Sequence, residues 1–175
     1  MSRLYPNEND NDNEMEEVDE DEDEELSRTA YHEAGHSVIA VLCGANVCRA
    51  SISPKQDLLH GEVEIHWPRN SKSDDQLATI LAGPVAEMIY RSEPLHPGLV
   101  AQWSQDWTQA WEIARPHLAN DRRCLEILEL RVAKLHRTLS QDRYWSAIAA
   151  VHDLLLAHDE ISHDEIEYEV NAWLR

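Results

Sequence analysis

The chain has 175 residues and carries 34 acidic side chains against 15 basic ones, a net charge of −19. That length holds one domain of about 150 residues plus a tail, and a charge of this sign, with no basic stripe to offset it, repels a phosphate backbone and excludes nucleic acid as partner. No run of about 18 apolar residues and no signal-peptide pattern occurs, so the expectation is a cytoplasmic protein with no membrane anchor.

The charge is uneven. Residues 1–25 hold 13 acidic side chains opposed only by Arg3, which gives this stretch −12 of the total. With almost nothing apolar to bury, it reads as a disordered acidic tail, and residues 26–175 as the folded domain. Cys43, Cys48 and Cys124 are odd in number and lack the tight pairing of thiolate zinc sites, so reduced, mostly buried thiols are expected.

The first helical pattern starts after Ser27, an N-cap candidate, presents Ala30, Ala34, Val38, Val41 and Leu42 on one face, and stops at Gly44. Within it lies His32-Glu33-Ala34-Gly35-His36. On a helix of 3.6 residues per turn, His32 and His36 stand one above the other, so both imidazoles reach one metal ion. Glu33 projects beside that ion, where zinc peptidases keep the base that deprotonates metal-bound water.

Two strands are expected over 46–53 and 61–67, separated by a turn from Pro54 to His60. In the second, Val63, Ile65 and Trp67 alternate with Glu62, Glu64 and His66, which predicts one buried face. His60 and His66 read as surface histidines. Ser73 and Gln76 have capping-box spacing ahead of a helix carrying Leu77, Ile80, Leu81, Val85, Met88 and Ile89, and Pro84 should kink it or split it in two.

Ser104 is the cap candidate of a helix running to about Arg115, where Pro116 intervenes. Trp103, Trp107 and Trp111 recur along it every four residues, a stripe read as core, with Trp107 the one that would also wall a cleft. Three further helices follow, with apolar stripes Leu125–Leu139 and Ile148–Leu155 and a last helix capped by Ser162 and Glu165. The fold class is mainly α with a small β-sheet, an α+β arrangement of the zincin-like helical kind.

A catalytic zinc takes three protein ligands and keeps one position for water, so a third ligand is required. The metzincin extension is excluded, because Ile39 and Leu42 occupy the positions of its glycine and histidine. A carboxylate from another helix remains, either Asp106 or Glu87, and spacing does not choose between them.

The segment Thr29-Ala30-Tyr31-His32-Glu33-Ala34-Gly35-His36 resembles the zinc-binding helix of the FtsH-type peptidases, the proteolytic half of AAA proteases. Residues 81–87, Leu-Ala-Gly-Pro-Val-Ala-Glu, resemble that family's glycine-containing helix. Ser104-Gln105-Asp106-Trp107, with Ala110, Ile113 and Ala114, resembles the helix that delivers its aspartate ligand, and Ala147 to Val170 its closing helices. Pro84, where the family has a basic residue, and Met88, in place of a second acid, depart from the pattern.

The resemblance implies one Zn2+ per chain held by His32, His36 and Asp106, with Glu87 in a supporting role that fixes an imidazole tautomer. It implies a metalloendopeptidase acting on peptides or unfolded proteins, with Glu33 as general base. It further implies a substrate strand laid along Gly61 and Val63, with Gly61 permitting close backbone approach. The five glycines, at 35, 44, 61, 83 and 98, form no phosphate loop, so no ATPase activity is expected of the chain itself. A second reading makes it a zinc-binding interaction protein that docks on an ATPase partner and is inactive alone.

Overall fold

A single long helix, α1 (Glu14–Leu42), carries the paired histidines and runs through the centre of the fold. The computed structural model describes residues 14–55, 58–93 and 96–175, with side chains from Glu22 onward except at 54–60. Residues 1–13 of the expected tail lie outside the described residues. From Glu14 to Glu25 the acidic stretch is helical and continuous with α1, so Ser27 is not an N-cap. Glutamate is a good helix former, and acidic side chains are favoured near a helix N-terminus, so this stretch extends the helix with no cap at 27. Ser27 Oγ instead lies 2.8 Å from His152 Nε2.

Ala30, Ala34, Val38 and Val41 are buried along one face of α1, as their spacing requires. The helix ends on Gly44, whose φ of 80° is open to glycine. The Ala45 and Gly44 amides reach the carbonyls of Ala40 and Val41 at 2.9 and 3.0 Å, the paired bonds that close a helix through a left-handed residue.

The chain then forms strands β1 (Asn46–Lys55) and β2 (Leu58–His66), paired antiparallel. Both reach further into the expected Pro54–His60 turn than sequence suggests. Val47, Ala50 and Ile52 face α1, opposite Ile65, Val63 and Gly61. A third strand absent from the sequence reading, β3 (Glu160–Ser162), pairs with Arg49–Ser51, giving the order β2-β1-β3 with β2 at an edge. The result is the mainly helical α+β class with a small antiparallel sheet.

Helix α2 (Ser73–Tyr90) packs along α1 and passes through Pro84 as one element. The Ser73–Gln76 capping box does not form. Lys72 is the cap residue, and Gln76 donates instead to Ser71 Oγ at 2.9 Å. Pro84 and its neighbours from Leu81 to Met88 are all buried, so packing on both sides holds a helix that lacks one backbone bond.

Helices α3 (Ser104–Ala114), α4 (Asp121–Leu139), α5 (Asp142–His158) and α6 (His163–Leu174) complete the fold. The cap residue of α3 is Trp103, one position before the expected Ser104. Ser162 and Glu165 do form the capping box of α6. The main core joins α1, the sheet, α2, α5 and α6, and a second cluster built on Leu77, Leu81, Ala110, Cys124 and Leu128 joins α2 to α3 and α4. Asp159, with φ of 60°, turns the chain out of α5, and its carbonyl accepts from the Ile52 amide at 2.8 Å, seating β3 beside β1.

Candidate metal centre and active-site cleft

Helical periodicity brings His32 and His36 together on α1, and tertiary packing supplies the rest. Helix α2 passes close enough to α1 that a Cβ on Gly83 would stand 2.2 Å from His36 Nε2, so only glycine leaves room for that ring. Helix α3 begins beside them, with Asp106 in its first turn. Asp106 Oδ2 lies 3.1 Å from His32 Nε2, and Oδ1 lies 3.5 Å from His36 Nε2. One donor atom from each of the three residues lies within 4.8 Å of the other two.

The outer contacts fix how the imidazoles present their lone pairs. His36 Nδ1 lies 2.8 Å from the Thr79 carbonyl, which only accepts, so Nδ1 donates and Nε2 turns its lone pair toward Asp106. His32 Nδ1 lies 3.2 Å from Glu87 Oε2. Glu87 is oriented in turn by the indole of Trp103, whose Nε1 donates to the same oxygen, and by Arg91 at 3.5 Å. A carboxylate behind a ligand imidazole fixes its tautomer and raises its basicity.

These donors fit a divalent ion. Ligands held at about 2.0–2.2 Å in a tetrahedron stand roughly 3.3–3.5 Å apart, close to the 3.1 and 3.5 Å separations here. Two imidazole nitrogens and a carboxylate gathered within 4.8 Å of one another suit a borderline cation such as zinc, which would take the place of the proton on His32 Nε2. By themselves the same groups hold a proton: burial opposes the charge on His32, but its bonds to Asp106 and Glu87 outweigh that and raise it to about 10. Burial lowers His36. It would raise Asp106 and Glu87, yet the bond to His32 and the surrounding donors hold both below the usual carboxylate range.

Glu33 is 7% exposed and belongs to none of these bonds. Its carboxylate lies against Gly61 of β2, where a Cβ would come within 2.1 Å of Oε1. Burial pushes this carboxyl up to about 7, with His32 pulling the other way. A carboxyl poised near neutrality is suited to exchanging protons at physiological pH.

The cluster floors a cleft of about 390 Å³ lined on one side by Gly61, Val63 and Ile65 of β2 and on the other by Gln102, Trp103, Gln105 and Gln109. Two of the expected substrate contacts, Gly61 and Val63, therefore line it. Trp107 does not. It points away, into the second core cluster and against His96 at 5.0 Å, because the helix that aims Asp106 at the histidines turns the next residue about 100° round its axis. Trp103 takes the cleft position instead, and the rest of the tryptophan stripe is core. His66 lies on the outer face of the sheet, and the side chain of His60 lies outside the described residues.

Sequence reasoning missed Trp103 and Thr79. Nothing in the local pattern around Trp103 marks its indole as a partner of Glu87, and Thr79 acts through its main chain, which side-chain identity does not reveal. The chain matches no family model, and no curated protein matches it.

Proposed function

We propose that this chain is a zinc-dependent metalloendopeptidase acting on peptides or unfolded proteins. The observation that carries this reading is the convergence of His32 Nε2, His36 Nε2 and the Asp106 carboxylate beside a buried carboxyl, Glu33, that joins none of their bonds. A structural zinc prefers four closed protein ligands and has no use for that fourth group.

His32, His36 and Asp106 would hold a zinc ion, which would supply a Lewis acid for the scissile carbonyl and for water. The chain's own groups do the remainder. Glu33 accepts a proton from the attacking water at its carboxylate and delivers it to the leaving amine. Glu87 and the Thr79 carbonyl hold the imidazoles in their tautomers. The edge of β2 offers main-chain groups to an extended substrate running past Gly61 and Val63, which favours many sequences over one. The resemblance to FtsH-type peptidases supports the same reading, including an ATPase partner that would deliver unfolded chains.

The test is cleavage of an unfolded protein by the unaltered chain and by Glu33→Gln. Loss of at least 10²-fold with folding intact supports the proposal. Equal cleavage by both, or none by the unaltered chain under any condition, refutes it.

A further inference from the structure

On the outer face of the β1–β2 hairpin, the pairing of the two strands is irregular. Asn46 opposes His66 and Val47 opposes Ile65, but the next partner of β2, Glu64, is met by Arg49, so Cys48 is an extra residue in β1. A bulge of this kind re-aims a side chain and bends its strand. Here it keeps Val47 and Ala50 both facing the core and places Cys48 between His66 and Glu64 on the outside. Cys48 Sγ lies 3.2 Å from His66 Nδ1, and His66 Nε2 lies 3.6 Å from Glu64 Oε1.

We propose that Cys48, Glu64 and His66 form a second divalent-cation site, separate from the candidate peptidase centre and independent of whether that centre is catalytic. One donor atom from each lies within 4.8 Å of the other two, so an ion bound to His66 Nδ1 beside the sulfur is reached by Glu64 on a turn of its exposed side chain, with the strands unmoved. The set combines a thiolate, an imidazole and a carboxylate, the mixture that selects zinc and similar borderline ions over magnesium or calcium. Asn46 Nδ2 donates to the sulfur at 3.3 Å and helps hold it beside His66. Arg49 is hydrogen-bonded to Glu160 and Glu62 and acts on Glu64 through its charge alone. The His66 and Glu64 side chains are 70% and 50% exposed, so an ion enters from solvent with its remaining positions filled by water. On binding, the Cys48 thiol forms the sulfur–metal bond and releases its proton to solvent.

Cobalt(II) reports on this site selectively. A thiolate bound to Co2+ gives an intense charge-transfer band in the near ultraviolet, whereas a His/His/Asp site contains no sulfur and gives none. Titrating Co2+ into the full chain should produce that band with saturation at one thiolate-bound ion per chain. Cys48→Ser should abolish it, Cys43→Ser should leave it, and His66→Asn and Glu64→Gln should each weaken the binding at least tenfold. The absence of a band, or its survival in Cys48→Ser, overturns the site. So does unchanged affinity in both His66→Asn and Glu64→Gln, which keep the thiol and so remain informative should Cys48→Ser fail to fold.

Discussion

Gly61 of the edge strand and Glu33 of the central helix are in direct apposition, with the space that a Cβ would need at position 61 already taken by the Glu33 carboxylate. The glycine therefore does more than continue the strand in which it lies. It sets the depth at which the candidate base sits beside the two histidines.

Gly61→Ala should displace the Glu33 carboxylate while leaving His32, His36 and Asp106 in place. Displacing a reacting group by about 1 Å costs on the order of 10² in rate. The expected outcome is a loss of that size in kcat for peptide cleavage with metal content unchanged, measured by steady-state kinetics beside metal analysis. Full activity in the alanine variant would show that the Glu33 position is not set by this contact.

Glu87→Gln keeps the shape of the side chain that backs His32 but removes the charge. Removing such a supporting carboxylate typically weakens metal binding by about 10–100-fold, and that loss should appear in competition with a chelator. The bond to Trp103 survives as a contact to the amide oxygen, so the fold should remain. An unchanged zinc affinity would mean that the 3.2 Å contact to His32 does not tune the ligand.

His152 should impose an acid limit on stability. Burial lowers its pKa, with Asp153 partly opposing the shift, while the ring bonds Ser27 and stacks on Tyr31 with centroids 3.9 Å apart. A group whose folded pKa lies below its unfolded value of about 6.5 contributes stability in full above that value and loses it as pH falls through the folded one. The stability difference between the unaltered chain and His152→Asn should narrow as pH drops below about 6.5, measured by denaturant unfolding. A difference that stays constant or widens in that range contradicts the assignment.

The histidine pair was legible in the sequence because helical periodicity alone sets it, and the burial of Ala30, Ala34 and Val38 follows from the same spacing. The third candidate ligand was not, since Asp106 and Glu87 differ only in how α3 and α2 approach α1, which local pattern does not encode. Strand β3 has a single buried apolar residue, Ile161, among three, too little for alternation to register. Ser27 and Ser73 misled for a shared reason: a serine ahead of an apolar run looks like a cap whether its hydroxyl meets an amide or lies elsewhere, as Ser27 does on His152. Proximity in sequence to Asp106 does not bring Trp107 to the cleft, because adjacent helical residues face different directions.

Zinc analysis of the purified chain and its variants tests the central claim most directly. The account predicts about one tightly held zinc per chain in a peptidase centre, lost on Asp106→Ala and retained on Glu33→Gln, in a Cys48→Ser background that removes the thiolate site. A full complement in Asp106→Ala together with an empty site in Glu87→Ala would contradict it and make Glu87 the ligand.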